Sequence, residues 1–185
     1  MRQRRKDGEP MQPYPSHLVK HLKLADGAAV TIRPIRPEDA AIEQAFVRKL
    51  SDESRYFRFM DSLRELSPRM LSHFTQVDYD RHMALIAVTR DGDKETEIAV
   101  ARYVVANDDQ GCEFAIVVAD QWHRKGVGTL LMRALMDSAR SRGLATMFGE
   151  VLASNHKMLR LMHRLGFTSA FDHGDPRLMR VEIQL

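Results

Sequence analysis

Residues 117–135 read VVADQWHRKGVGTLLMRAL. Val117, Val118 and Ala119 close an apolar run that begins at Cys112. A charged bend follows, and then two glycines, Gly126 and Gly128, spaced G-x-G. Beyond them Val127, Leu130, Leu131, Ala134 and Leu135 recur at helical spacing. The stretch reads as strand, bend, helix.

A helix N-terminus leaves backbone N–H groups unpaired and carries partial positive charge, so it attracts anions. Glycine lets the backbone approach a phosphate and take angles that a side chain disfavours. Arg124 and Lys125 add positive charge at the same place. This chemistry suits a pyrophosphate; the plain alternative is a strand-to-helix turn. A P-loop is excluded, because no G-x-x-x-x-G-K-[ST] is present. A dinucleotide fingerprint needs a third glycine where Leu131 stands.

Upstream, HMALIAVT (82–89), TEIAVARYVVA (96–106) and CEFAIVVAD (112–120) are apolar strands joined by the polar turns DGDKE and NDDQG. Three such strands make an antiparallel meander. AAVTIRPI (28–35) is an earlier strand, Pro37 opens a helix with an acidic first turn, and Ser67 caps a second helix that begins at Pro68. Downstream, Gly143 ends the helix after the bend, LATMFGEVL (144–152) is a strand, and SNHKMLRLMHRLGF (154–167) is a helix closed by Gly166. FTSA (167–170) and RLMRVEIQL (177–185) supply the last strands. The fold class is α/β, a mixed sheet in which the antiparallel meander is expected to lead into a parallel pair of strands, with helices on both faces.

With 185 residues the chain makes one domain, and no apolar run approaches the ~20 residues that span a bilayer. Residues 1–16 are basic and proline-rich with no apolar segment behind them, so they read as a solvated, disordered arm rather than a secretory signal. The domain is expected to run from residue 17 to 185. The net charge of +3 owes much to that arm, and no basic stripe for nucleic acid follows it. A lone cysteine, Cys112, excludes an internal disulfide and points to a reducing cytoplasm. The eight histidines show no metal spacing, so no metal is expected.

WHRKGVGTLLMRAL (122–135), followed by a strand and then SNHKMLRLMHRLGF, resembles the Gcn5-related N-acetyltransferase (GNAT) superfamily, whose signature is Q/R-x-x-G-x-G/A followed by an Asn-led helix. VTIRPIRPEDA (30–40), LSDESRYFRFM (50–60), LSPRML (66–71) and FTQVDYDRHMALIAV (74–88) resemble more narrowly the GNAT domain of bacterial protein-lysine acetyltransferases. In many of those proteins the domain is fused to a large acyl-CoA-synthetase-like region, for which this chain has no room, so it reads as a free-standing module. His123 stands where the family has Gln or Arg, and Arg124 is the neighbouring source of charge.

The resemblance implies acetyl-CoA as co-substrate, with its pyrophosphate held by His123, Arg124, Lys125, Gly126, Val127, Gly128 and Thr129. It implies that Val117, Val118 and Ala119 offer backbone groups to the pantetheine arm, chiefly Val117 and Ala119. Asn155, an N-cap residue at the start of its helix, also matches the asparagine that contacts that arm, and Arg164 either approaches the adenosine phosphates or lies on a solvated helix face. The thioester is expected in a splay between the fourth and fifth strands of that fold. The acceptor is a primary amine, by preference a protein lysine, with a small amine as alternative. A non-catalytic acyl-CoA sensor is the reading outside enzymes. Monomer and homodimer both fit.

A lysine acceptor is protonated at neutral pH and must lose a proton before it attacks. Glu113 is the candidate base, on one face of its strand with Ala115 and Val117, while Phe114, Ile116 and Val118 take the other. Partial burial there is expected to raise its pKa. Glu97 and Glu150 are rivals read as solvated or ion-paired strand-edge residues. Many members place a tyrosine acid four residues before the closing glycine; Met162 occupies that position, so the thiolate must be protonated by water or the substrate ammonium.

Overall fold

Among the described residues, alternating apolar residues and tight polar turns make a single eight-stranded sheet, in the order β1-β2-β3-β4-β5-β6-β8-β7. The computed structural model describes residues 12–61, 63–172 and 174–185. Its strands are β1 (Lys20–Lys23), β2 (Ala29–Pro34), β3 (His82–Asp91), β4 (Lys94–Val105), β5 (Gly111–Val118), β6 (Thr146–Leu152), β7 (Thr168–Phe171) and β8 (Leu178–Gln184). β1 through β5 run antiparallel in sequence order: the expected three-strand meander β3–β5, with the expected earlier strand β2 beside it and β1 at the edge. β5 and β6 are parallel. β8 then returns antiparallel beside β6 and carries β7 on its outer side.

Helices cover both faces. α1 (Ala40–Lys49), α2 (Asp52–Phe59) and α3 (Pro68–Thr75) lie on one. There Phe46 and Val47 pack with Ile86, Val100 and Val117. α4 (Val127–Ser141) and α5 (His156–Arg164) lie on the other, where Leu131 and Leu135 pack with Leu85, Ala99 and Ile116. α3 starts as expected: the Ser67 side chain accepts from Met70 N, with Pro68 in the first turn. α5 starts likewise, the Asn155 side chain accepting from Met158 N. No described helix is long and apolar enough to cross a membrane.

Two elements lack a sequence signal. β1, KHLK, is short and largely exposed, held by pairing with β2 rather than by an apolar pattern. α2, DESRYFRF, carries four charged residues in eight and no apolar stripe; Ser51, which accepts from Ser54 N, starts it. Of the expected 1–16 arm, residues 1–11 lie outside the described residues. Tyr14 is packed: its hydroxyl donates to Pro34 O at 3.1 Å, and the Arg36 guanidinium lies 4.5 Å from its ring centroid.

The parallel pairing is short. Only Gly111, Cys112 and Glu113 meet β6, opposite Thr146, Met147 and Phe148. Beyond Glu113 the strands part, β5 staying with β4 and β6 with β8. The Phe114 ring stands at the point of divergence, so close to Gly149 that a Cβ there would meet it at 2.8 Å. Gly149 makes room for that ring, and the ring lies where continued pairing would begin.

Candidate active site

The splay opens a cleft of about 220 Å³. Glu113, Ala115 and Ile116 line it from β5, Glu150 and Val151 from β6, and Asn155 and Met158 from the start of α5. α2 closes the remaining side with Phe57, Arg58, Phe59 and Met60.

Backbone direction decides what β5 offers to this gap. Ala119 N donates to Ile98 O at 2.8 Å, and Ala106 N donates to Gly111 O at 2.8 Å. Odd-numbered residues of β5 therefore bond to β4, and even-numbered ones turn their amides toward the gap. Val117 and Ala119, expected to offer backbone groups there, face β4 instead. Ile116 and Val118 face the gap, and the sequence reading missed Ile116 because it ignored which edge was already paired. The His123 ring nitrogen Nε2 lies 2.9 Å from Val118 O. His123 thus pins the strand end, a role its family position does not suggest.

At the glycine bend, Gly126 takes φ +87°, the left-handed region, and no atom lies within 4 Å of where its Cβ would be. Gly128 serves a different need: a Cβ there would press on Leu161 at 3.2 Å and Val118 at 3.5 Å. Small size at residue 128 lets α4 start close against β5 and α5. Gly126 is the N-cap of α4, and no side chain caps that end. The first amide to bond back is Leu130 N, to Gly126 O. The amides of Val127, Gly128 and Thr129 come before it and are free to meet an anion.

The charges around the bend differ from expectation in one respect. Lys125 Nζ is 2.9 Å from an Asp26 carboxylate oxygen and 4.8 Å from the Trp122 ring centroid, so it is turned away toward the β1–β2 turn. Arg124 is exposed, with φ +61°, and has no partner among the described residues. Arg164 is exposed in the last turn of α5, at the opposite end from Asn155.

Glu113 is exposed rather than partly buried, because the helices of its face stop short of it. Its cross-strand neighbour Val104 is itself 46% exposed. The expected alternation holds, with Val117 packed under α1–α3 and Phe114 and Ile116 packed under α4 and α5. Glu150 is exposed on β6, opposite Arg180. Arg180 lies 4.0 Å above the Phe148 ring and bonds Glu182 at 2.9 Å, which leaves Glu150 unpaired among the described residues.

Glu97 is neither solvated nor ion-paired. It is buried on β4 against the Glu43 carboxyl of α1, and apart from each other the Glu97 oxygens and Glu43 Oε2 have no hydrogen-bond partner among the described residues. Burial first, then the Glu43 carboxylate, push the Glu97 carboxyl well above the ordinary range. Arg102 reaches Glu43 at 3.4 Å and lies 4.3 Å from the Phe74 ring centroid. His82 completes this buried group; burial, then Arg102 and His73, push it down to about 4. None of these residues lines the cleft.

Asp120 ties the two sides together. Its carboxylate accepts from Ser51 N at 3.0 Å, Ser51 Oγ at 2.8 Å and Ser54 Oγ at 2.8 Å. The loop that leads into the glycine bend therefore holds the first turn of α2. Burial pushes the Asp120 carboxyl up, but these hydrogen bonds outweigh it and hold it below its usual value. Cys112 is buried, with its thiol pushed up to about 12 by burial, which suits a packing residue and not a nucleophile. Met162 is buried in the core beneath α5, so no side-chain acid stands at that position.

The family description "acetyltransferase (GNAT) domain" matches residues 29–168. Acetyltransferase PA5475 of Pseudomonas aeruginosa is 36% identical over 152 residues, which are 82% of this chain and 82% of that protein. Acetyltransferase Pat of Mycolicibacterium smegmatis is 32% identical over 146 residues, 78% of this chain but only 43% of that protein. Among solved structures, the GNAT domain of S. lividans PAT superposes with a TM-score of 0.86 at 29% identity, covering 94% of this chain and all of that one.

Proposed function

The chain belongs to the GNAT acetyltransferase family, and on that premise we propose that it moves the acetyl group of acetyl-CoA to the side-chain amine of a protein lysine, with Glu113 as general base. The observation that carries this reading is the exposed Glu113 carboxylate, without a partner among the described residues, at the mouth of the β5–β6 splay. The resemblance of residues 30–88 to the GNAT domain of bacterial protein-lysine acetyltransferases supports the choice of a protein acceptor.

The amides of Val127, Gly128 and Thr129 take the pyrophosphate, with Arg124 and the N-cap Gly126 beside them. Ile116 and Val118 offer the pantetheine arm an open strand edge, in the manner of an added strand, and Asn155 stands at the far side. His123 acts by fixing the Val118 carbonyl. Lys125 and Arg164 take outer roles.

Glu113 accepts a proton from the lysine ammonium, directly or through one water. The neutral amine attacks the thioester carbonyl; the new C–N bond forms and the C–S bond breaks. The coenzyme thiolate takes a proton from water or from the cationic nitrogen that the substrate amine acquires on attack, since Met162 has none to give. The test is acetyl transfer from labelled acetyl-CoA to lysine peptides, with polyamines and aminoglycosides as competing acceptors. Lysine peptides are expected to be acetylated with the higher kcat/KM. Preference for the small amines would replace this reading, and acetyl-CoA binding without transfer to any amine would favour the sensor.

A further inference from the structure

Arg58 is the anomaly in the cleft wall. It projects from α2, is half-buried, and lines the cleft with Glu113 and Glu150. Its guanidinium lies 5.0 Å from the Phe59 ring centroid and 5.7 Å from that of Phe74, yet among the described residues it meets no carboxylate or carbonyl. The same Phe74 ring carries Arg102 on it at 4.3 Å. Two cations thus share one ring, and the nearby anion, Glu43, is bonded by Arg102 at 3.4 Å. Arg55, one turn earlier on α2, shows the usual arrangement: it bonds Asp52 and the Leu50 carbonyl. Burial, then repulsion from Arg102, push Arg58 down to about 10, the mark of a cation lacking its counter-ion.

A guanidinium presents a planar fork of donors that matches a carboxylate. Here the fork shares a cleft with two carboxylates, Glu113 and Glu150, that have no partner among the described residues. Such a cleft complements a molecule that is cationic at one end and anionic at the other. We propose that Arg58 binds a carboxylate in the acceptor cleft and so selects what is transferred or what receives it. The carboxylate has two sources: an acidic residue beside the accepting lysine, or the far end of a dicarboxylic acyl chain. The inference rests on the acyl-transfer reading of the same cleft.

Three measurements test it. The first compares lysine peptides flanked by Asp with the same peptides flanked by Asn, using acetyl-CoA. The second compares succinyl-CoA with acetyl-CoA on the Asn-flanked peptide. Each is run with the natural chain, Arg58→Met and Arg58→Lys, after calorimetry shows that the variants still bind acetyl-CoA. A bound carboxylate predicts a preference of about tenfold to a hundredfold in kcat/KM for one charged partner, the usual worth of a hydrogen-bonded charged pair. In Arg58→Met that ratio should fall to about one, and Arg58→Lys should keep part of it. A loss confined to the first comparison assigns the carboxylate to the acceptor; one confined to the second assigns it to the acyl chain. No preference in the natural chain, or a preference that survives Arg58→Met, overturns the proposal. The third measurement needs no turnover: 6-aminohexanoate, an amine and a carboxylate on one chain, is titrated while the Arg58 Nε–H resonance is followed. A saturable shift supports carboxylate binding even if no amine is ever acetylated and the transfer reading fails. An unmoved resonance counts against it.

Discussion

The two sides of the cleft are built in different ways. On the coenzyme side the groups proposed to act are largely backbone, and they lie close together in the chain, from Ile116 to Thr129 with Asn155 added. On the acceptor side they are side chains brought from α2, β5 and β6, with a layer of buried charge behind them drawn from α1, β3 and β4. A backbone site depends on chain path, so a glycine, a strand end and a helix start are enough to specify it. A side-chain site depends on which residues the fold brings face to face, and no local pattern announces that. The coenzyme half is therefore tolerant of side-chain change and intolerant of backbone change; the acceptor half is the reverse.

The sharpest way to break this contrast is at Glu113. Glu113→Gln keeps the volume and removes the basic oxygen, so turnover should fall by ~10²–10⁴. Acetyl-CoA affinity, measured by calorimetry, should stay put, and higher pH should restore part of the rate because more of the amine is already neutral. Full turnover at neutral pH would clear Glu113 of the role.

A backbone-side change comes next. Gly126→Asp places a carboxylate beside the free amides in space that is otherwise open. Aspartate tolerates the left-handed region better than most residues, so charge outweighs strain in this variant. Affinity for acetyl-CoA should drop roughly a hundredfold, about the worth of one or two charge-assisted bonds. Unchanged affinity in a folded variant would remove the pyrophosphate from the bend.

The buried charge makes stability depend on pH with two opposite signs. His82 stays neutral in the folded chain until about pH 4, whereas the unfolded chain takes up the proton near its ordinary pKa of ~6.5. The unfolded state thus binds more protons between those values, and stability is lost as pH falls through that window, by about 2 kcal/mol at pH 5. His82→Gln should flatten that part of a denaturant-unfolding curve against pH. Glu97 acts the other way. Its raised folded pKa means that stability is lost as pH rises above the unfolded carboxyl's ~4.3. Gln is neutral at every pH and carries no such protonation cost, so Glu97→Gln should stabilise the chain at neutral pH by ~1–2 kcal/mol, and a lower melting temperature would refute the assignment. The smallest effect belongs to Lys125→Ala. Its partner Asp26 is exposed, so stability should hardly change, and acetyl-CoA affinity should change by less than Arg124→Ala changes it, in parallel titrations.

How far the sequence could be read follows the same division. The meander, the parallel pair, the bend at Gly126 and the caps at Ser67 and Asn155 were all legible, because each is a local event with its own residue chemistry. The paired lysine was not: nothing near Lys125 indicates that Asp26, 99 residues away, would claim it. Strand alternation placed Glu113 on the correct face but could not say that the covering helices end before reaching it. Glu97 reads as a surface residue in TEIAVARYVVA, since only the docking of α1 brings Glu43 over it. α2 was invisible as an element because its charged residues have work to do at both of its surfaces.

Asp120 carries a lesson for anyone wishing to change what this fold acts upon. Its three hydrogen bonds fasten the first turn of α2 to the loop that enters the glycine bend. The acceptor wall is thus not a free cassette. A transplant of residues 50–60 from another member will seat only if it brings a hydroxyl-bearing pair where Ser51 and Ser54 now stand, or carries its own loop with it. In library design, those serines and Asp120 form one unit of inheritance, to be varied together or left alone.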